Sequence, residues 1–149
     1  KSNNNTFISP LLIIVSPFLS ENALSDNLKL ELKNAVSRGV MVIVYCDTRL
    51  DIDNTKTRKK NSKEAISALK NIGVTIKVID GIHSKSMMFE TDKGVVLVEG
   101  SFNWLSAVRD KDSYFSRYEA SILLVGESIR PRIESVKKLL KERSHSIRY

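Results

Sequence analysis

Apolar and polar positions alternate along this chain with two periods, and the switches between them predict its elements. Leu11 to Val15 is a continuous apolar run between Pro10 and Pro17, which predicts a buried central strand. The wider apolar stretch, residues 7–19, is too short and too proline-broken to span a bilayer. Ser20, Glu21 and Asn22 are expected to cap a helix over 23–37, where Leu24, Leu28, Leu32, Ala35 and Val36 recur at helical spacing before Arg38 and Gly39. Residues 40–45 form a second apolar strand, and strand–helix–strand at this spacing predicts a parallel pair. Residues 47–62 are polar and read as a loop. A helix over 63–71 follows, with Ala65, Ile66 and Leu69 inward, then a strand over 75–79. Residues 82–89 alternate with period two, so they read as a strand that turns at 91–94 into a buried return strand over 95–98. Beyond it come a helical start at 104–108, a polar loop over 109–117, a strand over 119–125, a helix over 128–142 and a tail. In that last helix Ile129, Ile133, Val136 and Leu140 share one face. The expected fold is one α/β domain, a mixed and largely parallel central sheet flanked by helices on both faces.

Composition narrows the class. The 149 residues, 42% hydrophobic and 28% charged, suit a single globular domain with a sizeable core. A net charge of +7 predicts a polyanionic partner, nucleic acid or an anionic membrane surface. One cysteine, Cys46, excludes an internal disulfide, and two histidines give no zinc-ligand spacing. Neither a metal nor a cofactor is expected, and a reducing, cytoplasmic location is. The chain begins at Lys1, without a basic leader or cleavage site. It reads as a domain excised from a longer protein with further domains, and stable membrane insertion is not expected. Arg49, Lys56, Arg58, Lys59 and Lys60 lie in the polar loop after the second strand. Open α/β sheets place ligand sites at such strand ends, so these cations are candidate contacts to a nucleic-acid backbone, against the plainer reading of a solvated loop.

The chemistry concentrates in residues 82–106. Period-two alternation puts His83 and Lys85 on one face, and the return strand ends in Gly100-Ser101-Phe102-Asn103. A Gly-Ser turn feeding a helix start offers free N–H groups to an anion. The hairpin thus gathers an imidazole, an ammonium and neutral donors at one end, a set suited to phosphoryl transfer. Phe102 and Trp104 are read as core, Met87 and Met88 as packing. His145 has no lysine two residues on and does not repeat the motif.

His83-Ser84-Lys85 with an acid five residues after the lysine, then Gly100-Ser101-Phe102-Asn103, resembles the HKD signature of the phospholipase D superfamily. Arg117-Tyr118-Glu119 and the apolar run after it are similar to the acid-plus-strand segment that follows in bacterial nucleases of that superfamily. The chain departs from the pattern in having Glu90 where the family has Asp, and nine residues between it and Gly100. The resemblance implies a phospholipase D-like α-β-α sandwich and a metal-independent phosphodiesterase. His83 would be the nucleophile, forming a phosphohistidine, with Lys85, Asn103 and Ser101 holding phosphate oxygens. Glu119 would fix the imidazole tautomer, against the plainer reading of a surface pair with Arg117, and Glu90 would be a structural acid on the opposite strand face. Family catalysis uses two histidines and this chain supplies one motif, which implies a homodimer with a composite site. Nucleic acid, DNA before RNA, is the expected substrate. A phospholipid-hydrolysing enzyme and a catalytically silent nucleic-acid-binding or dimerisation domain are the alternatives.

Overall fold

A computed structural model of the chain describes residues 9–47, 56–106 and 119–146. Seven strands form one mixed sheet in the order β6-β5-β4-β1-β2-β3-β7: β1 (Leu11–Val15), β2 (Met41–Asp47), β3 (Thr75–Ile79), β4 (Ser86–Thr91), β5 (Gly94–Gly100), β6 (Ser121–Val125) and β7 (His145–Ser146). Three α-helices accompany them, α1 (Asp26–Ser37), α2 (Lys56–Ile72) and α3 (Arg130–Arg143).

The two faces of the sheet carry separate cores, because strand residues alternate sides. Ile14, Val42, Val44, Ile76 and Val78 pack with Leu32 of α1 and Ala65, Ile66 and Leu69 of α2. Ile13, Val15, Tyr45, Met88 and Leu97 pack with Ile133 and Leu140 of α3. Helices therefore lie on both faces, as expected. The parallel content is smaller than expected. Only β1–β2 and β2–β3 are parallel, while β1–β4, β4–β5, β5–β6 and β3–β7 are antiparallel. The cause is the link between β3 and β4, six residues (80–85) with no helix. A parallel crossover needs about a dozen residues or more. The shorter link can only cross the ends of β2 and β1, so β4 enters beside β1 in the reverse direction.

Three boundaries differ from expectation for local reasons. Ser25, not Ser20, caps α1, its hydroxyl accepting from Leu28 N at 3.3 Å, and residues Glu21–Ala23 form a separate 3-10 turn. The second helix starts at Lys56, seven residues before the expected start. Lysine and arginine are good helix formers, but residues 56–62 carry no apolar stripe for a periodicity argument to detect. The expected C-terminal tail begins as β7, which covers the open edge of β3 at Val78 and Lys77.

Candidate active site

The six-residue link carries His83 and Lys85 across the carboxyl ends of β1 and β2. Neither lies within a strand, since β4 begins only at Ser86. Lys85 Nζ lies 2.9 Å from His83 Nε2. An ammonium has only donors, so Nε2 is the acceptor and the ring proton sits on Nδ1. His83 is exposed and Lys85 half-buried, so the imidazole–ammonium pair is open to solvent.

The second half of the motif is bonded directly to the first. Gly100 N donates to the Lys85 carbonyl at 3.1 Å. Gly100 allows the start of β6 to approach closely, because a Cβ there would overlap Ser121 Oγ and the Ala120 carbonyl. Ser101 N donates to the Ala120 carbonyl at 3.0 Å and Ser101 Oγ accepts from Ala120 N at 3.2 Å. The Ser101 hydroxyl therefore pins the entry to β6, where the sequence reading made it a phosphate donor. Asn103 Oδ1 is buried with no hydrogen-bond partner among the described residues. Such an orphan costs about 1–3 kcal/mol and is tolerated where a group serves a function. Residues 104–106 form a turn instead of the expected helical start; 107 and 108 lie outside the described residues. Trp104 packs against the α1–α2 core, as expected, with Phe102 edge-on to it at 5.3 Å.

One organising residue escaped the sequence reading. Ser16 Oγ accepts from Leu105 N at 3.2 Å and donates to the Phe18 carbonyl at 3.0 Å, while Ser20 N donates to the Leu105 carbonyl. The loop leaving β1 is thereby fastened to the turn after Asn103. A Ser-Pro pair closing an apolar strand was the available signal.

The remaining candidates divide. Glu90 is buried on the α3 face, as parity predicted, where Oε1 accepts from Arg130 Nη1 and Oε2 from Lys137 Nζ at 2.6 Å. Hydrogen bonding to Glu127 raises the Arg130 guanidinium above its ordinary range. Burial pulls Lys137 down, but hydrogen bonds to Glu134 and Glu90 outweigh it and leave the ammonium above its ordinary 10.5. Glu119 is half-buried next to Ala120, one residue from the Ser101 anchor, and no hydrogen bond among the described residues joins it to His83. Its alternative partner Arg117 lies outside the described residues, as does Arg49. Lys56, Arg58 and Lys59 fall on the first turns of α2 rather than in a loop, and their side chains lie outside the described ones. Lys60 is exposed and pairs loosely with Glu64 at 3.8 Å.

The family model described as "Cardiolipin synthase, PLD-like domain" matches residues 11–139. Among solved structures, the chain is similar to the polyphosphate kinase from Porphyromonas gingivalis, with a TM-score of 0.66 at 12% identity. That match covers 98% of this chain but 23% of the kinase, and it shows a shared fold. A weaker likeness, TM-score 0.49 at 16% identity over 92% of this chain and 45% of the other, is to TrmBL2, an archaeal chromatin protein. No curated protein matches the chain. Among the described residues no helix is long and apolar enough to cross a membrane.

Proposed function

We propose that this chain, which belongs to the phospholipase D-like domain family, is a phosphodiesterase that cleaves a nucleic-acid backbone through His83. The observation that carries the reading is the 2.9 Å contact between Lys85 Nζ and His83 Nε2 on an exposed link, held to Gly100 by a backbone bond. An incoming diester takes the ammonium from the imidazole. Lys85 then neutralises charge growing on the non-bridging oxygens, and Nε2 attacks phosphorus as the P–O bond to the leaving oxygen breaks. The Nδ1 proton stays on the ring, and Glu119, two residues before β6, is the acid that accepts from it in this reading. Asn103 adds its amide to the phosphate. The leaving oxygen takes its proton from the imidazolium of a second copy's His83, and water attack on the phosphohistidine restores both rings. The +7 charge supports a polyanionic chain as ligand.

The test is cleavage of plasmid and single-stranded DNA in EDTA, wild type beside His83→Ala. Cleavage by wild type alone is expected. Loss of neither or absence of both refutes the assignment. A second reading, a phospholipid-directed enzyme, is favoured by the family's description and by apolar side chains left exposed on β6. Co-sedimentation with anionic vesicles separates the two.

A further inference from the structure

The turn that carries Asn103 leaves β5, which is buried at Val95 and Leu97 but only half-buried at Val96 and Val98, where a fully buried return strand was expected. Backbone bonds at Gly100 and Ser101 fix the start of that turn against Lys85 and Ala120. Its far end is fixed by the loop leaving β1. Leu105, two residues beyond Asn103, is fully buried, with its side chain in the α1–α2 core. Its peptide groups are held from both sides. The Leu105 N–H donates to Ser16 Oγ at 3.2 Å, and the Leu105 carbonyl accepts from Ser20 N at 2.9 Å. Ser106 N closes the turn on the Asn103 carbonyl at 3.2 Å. The loop that supplies this clasp is itself anchored along its length. Ser16 N donates to the Tyr45 carbonyl, Asp47 N to the Pro17 carbonyl and Ser62 Oγ of α2 to the Leu19 carbonyl, each at 3.0 Å. Pro17 favours an extended backbone at Ser16. The single hydroxyl proton of Ser16 is committed to the Phe18 carbonyl at 3.0 Å, which leaves its oxygen to accept from Leu105.

We infer that Ser16 is a positioning residue for the reaction: its hydroxyl holds the Asn103 turn so that the amide nitrogen, and not the amide oxygen, meets the phosphate. The inference rests on the phosphodiesterase reading above. Asn103 is the member of the site most sensitive to a small error in its turn. One end of its amide donates and the other only accepts, so an anionic phosphate oxygen is served by the nitrogen alone. Asn103 Oδ1 is buried with no hydrogen-bond partner among the described residues. An acceptor in that state gains by any movement that brings it to water. A turn released at Leu105 is free to make that movement, and the movement takes the donor away from the phosphate. Ser16 opposes it without touching the ligand, because its bond to Leu105 is buried. A misplacement of about 1 Å at such a donor costs about a hundredfold in rate.

The test is cleavage of single-stranded DNA in EDTA, with kcat and KM separated, for wild type, Ser16→Ala, Asn103→Ala and the double variant, each well below its Tm. Ser62→Ala is the control, since it removes a buried hydroxyl bond from the same loop at a point that does not touch Leu105. Ser16→Ala should lower kcat by roughly tenfold or more with KM changed by less than about twofold. Ser62→Ala should keep the wild-type kcat. In the Asn103→Ala background, Ser16→Ala should lower kcat no further, because the two residues act through one donor. Where Asn103→Ala leaves no measurable rate, the contrast between Ser16→Ala and Ser62→Ala decides. Ser16→Cys, which keeps a weaker donor and acceptor, takes the place of Ser16→Ala if that variant does not fold. Losses that multiply in the double variant, or equal losses in Ser16→Ala and Ser62→Ala, overturn the inference, since they mean a general loosening of the fold. A wild-type kcat in Ser16→Ala or in Asn103→Ala overturns it too, and leaves the phosphodiesterase reading standing. Wild type that cleaves nothing overturns that reading and this inference with it.

Discussion

Glu90 occupies the motif's acidic position, and its surroundings say how much it contributes. The residue is 6% exposed, and its carboxylate accepts from two cations of α3, Arg130 and Lys137. Hydrogen bonds to charged groups contribute about 1.5–3 kcal/mol each. Glu90→Gln keeps the shape but removes the charge that both bonds depend on. The loss is moderated because Arg130 still pairs with Glu127 at 2.6 Å and Lys137 with Glu134 at 2.8 Å. Neither cation is left alone, so the net cost is about 2 kcal/mol. For a domain of this size that lowers Tm by about 4–8 °C. Glu90→Asp, the residue usual in the family, is the sharper test. A side chain one carbon shorter cannot reach both cations, and a loss of about 1 kcal/mol, or about 2–4 °C, is expected. Thermal unfolding followed by circular dichroism at neutral pH measures both. Cleavage well below Tm should survive in both variants, because Glu90 faces α3 and not His83. A Gln variant within 1 °C of wild type, or an Asp variant equal to it, refutes this account of how α3 is held.

Other expectations follow from the same geometry. Gly100→Ala drives its Cβ into Ser121 and Ala120, so a loss of about 1–3 kcal/mol should accompany loss of cleavage, measured by chemical denaturation and the EDTA assay; an unchanged variant would mean that β6 is not held so closely. Stability should be flat near neutrality and fall on both sides. Arg130 depresses the Glu127 carboxyl below its ordinary 4.5, a contribution present above that pH and lost as pH falls through the depressed value. Lys137, raised above 10.5, contributes fully below that pH and loses its share as pH rises through the raised value, so Glu134→Gln should blunt the alkaline fall in a Tm–pH series. If the ligand is DNA, affinity should fall steeply with salt, log K losing about 0.9 per unit of log salt for each phosphate neutralised; a flat salt titration argues against a backbone ligand.

Much of the fold was legible because apolar runs and turn residues mark it. β1 and β3 fall at their expected bounds, and Ile133 and Leu140 are the buried stripe of α3. What stayed hidden depends on contacts that local periodicity does not encode. The polar first turns of α2 have no stripe, and the direction of β4 is decided by the length of the link before it. At the site, strand alternation was expected to bring His83 and Lys85 onto one face, but the two meet on the link before β4, outside any strand. The bond between Ala120 and the Ser101 hydroxyl, and the part played by Ser16, required knowing that Ala120 and Leu105 would be their neighbours.

The link that carries His83 also sets when the site can come into being. β4 must insert between β1 and β5, and pairing Val15 with Ser86 closes a loop spanning half the chain. Such non-local pairings are slow to form, since the loop entropy is spent before the contacts reward it. α1, α2 and the β1–β2–β3 unit involve much shorter separations and can assemble earlier. The proposed phosphodiester chemistry would thus be a late product of folding: helical signal should return before activity, and a partly assembled chain holds the imidazole and the ammonium without the strand ends that bring them together.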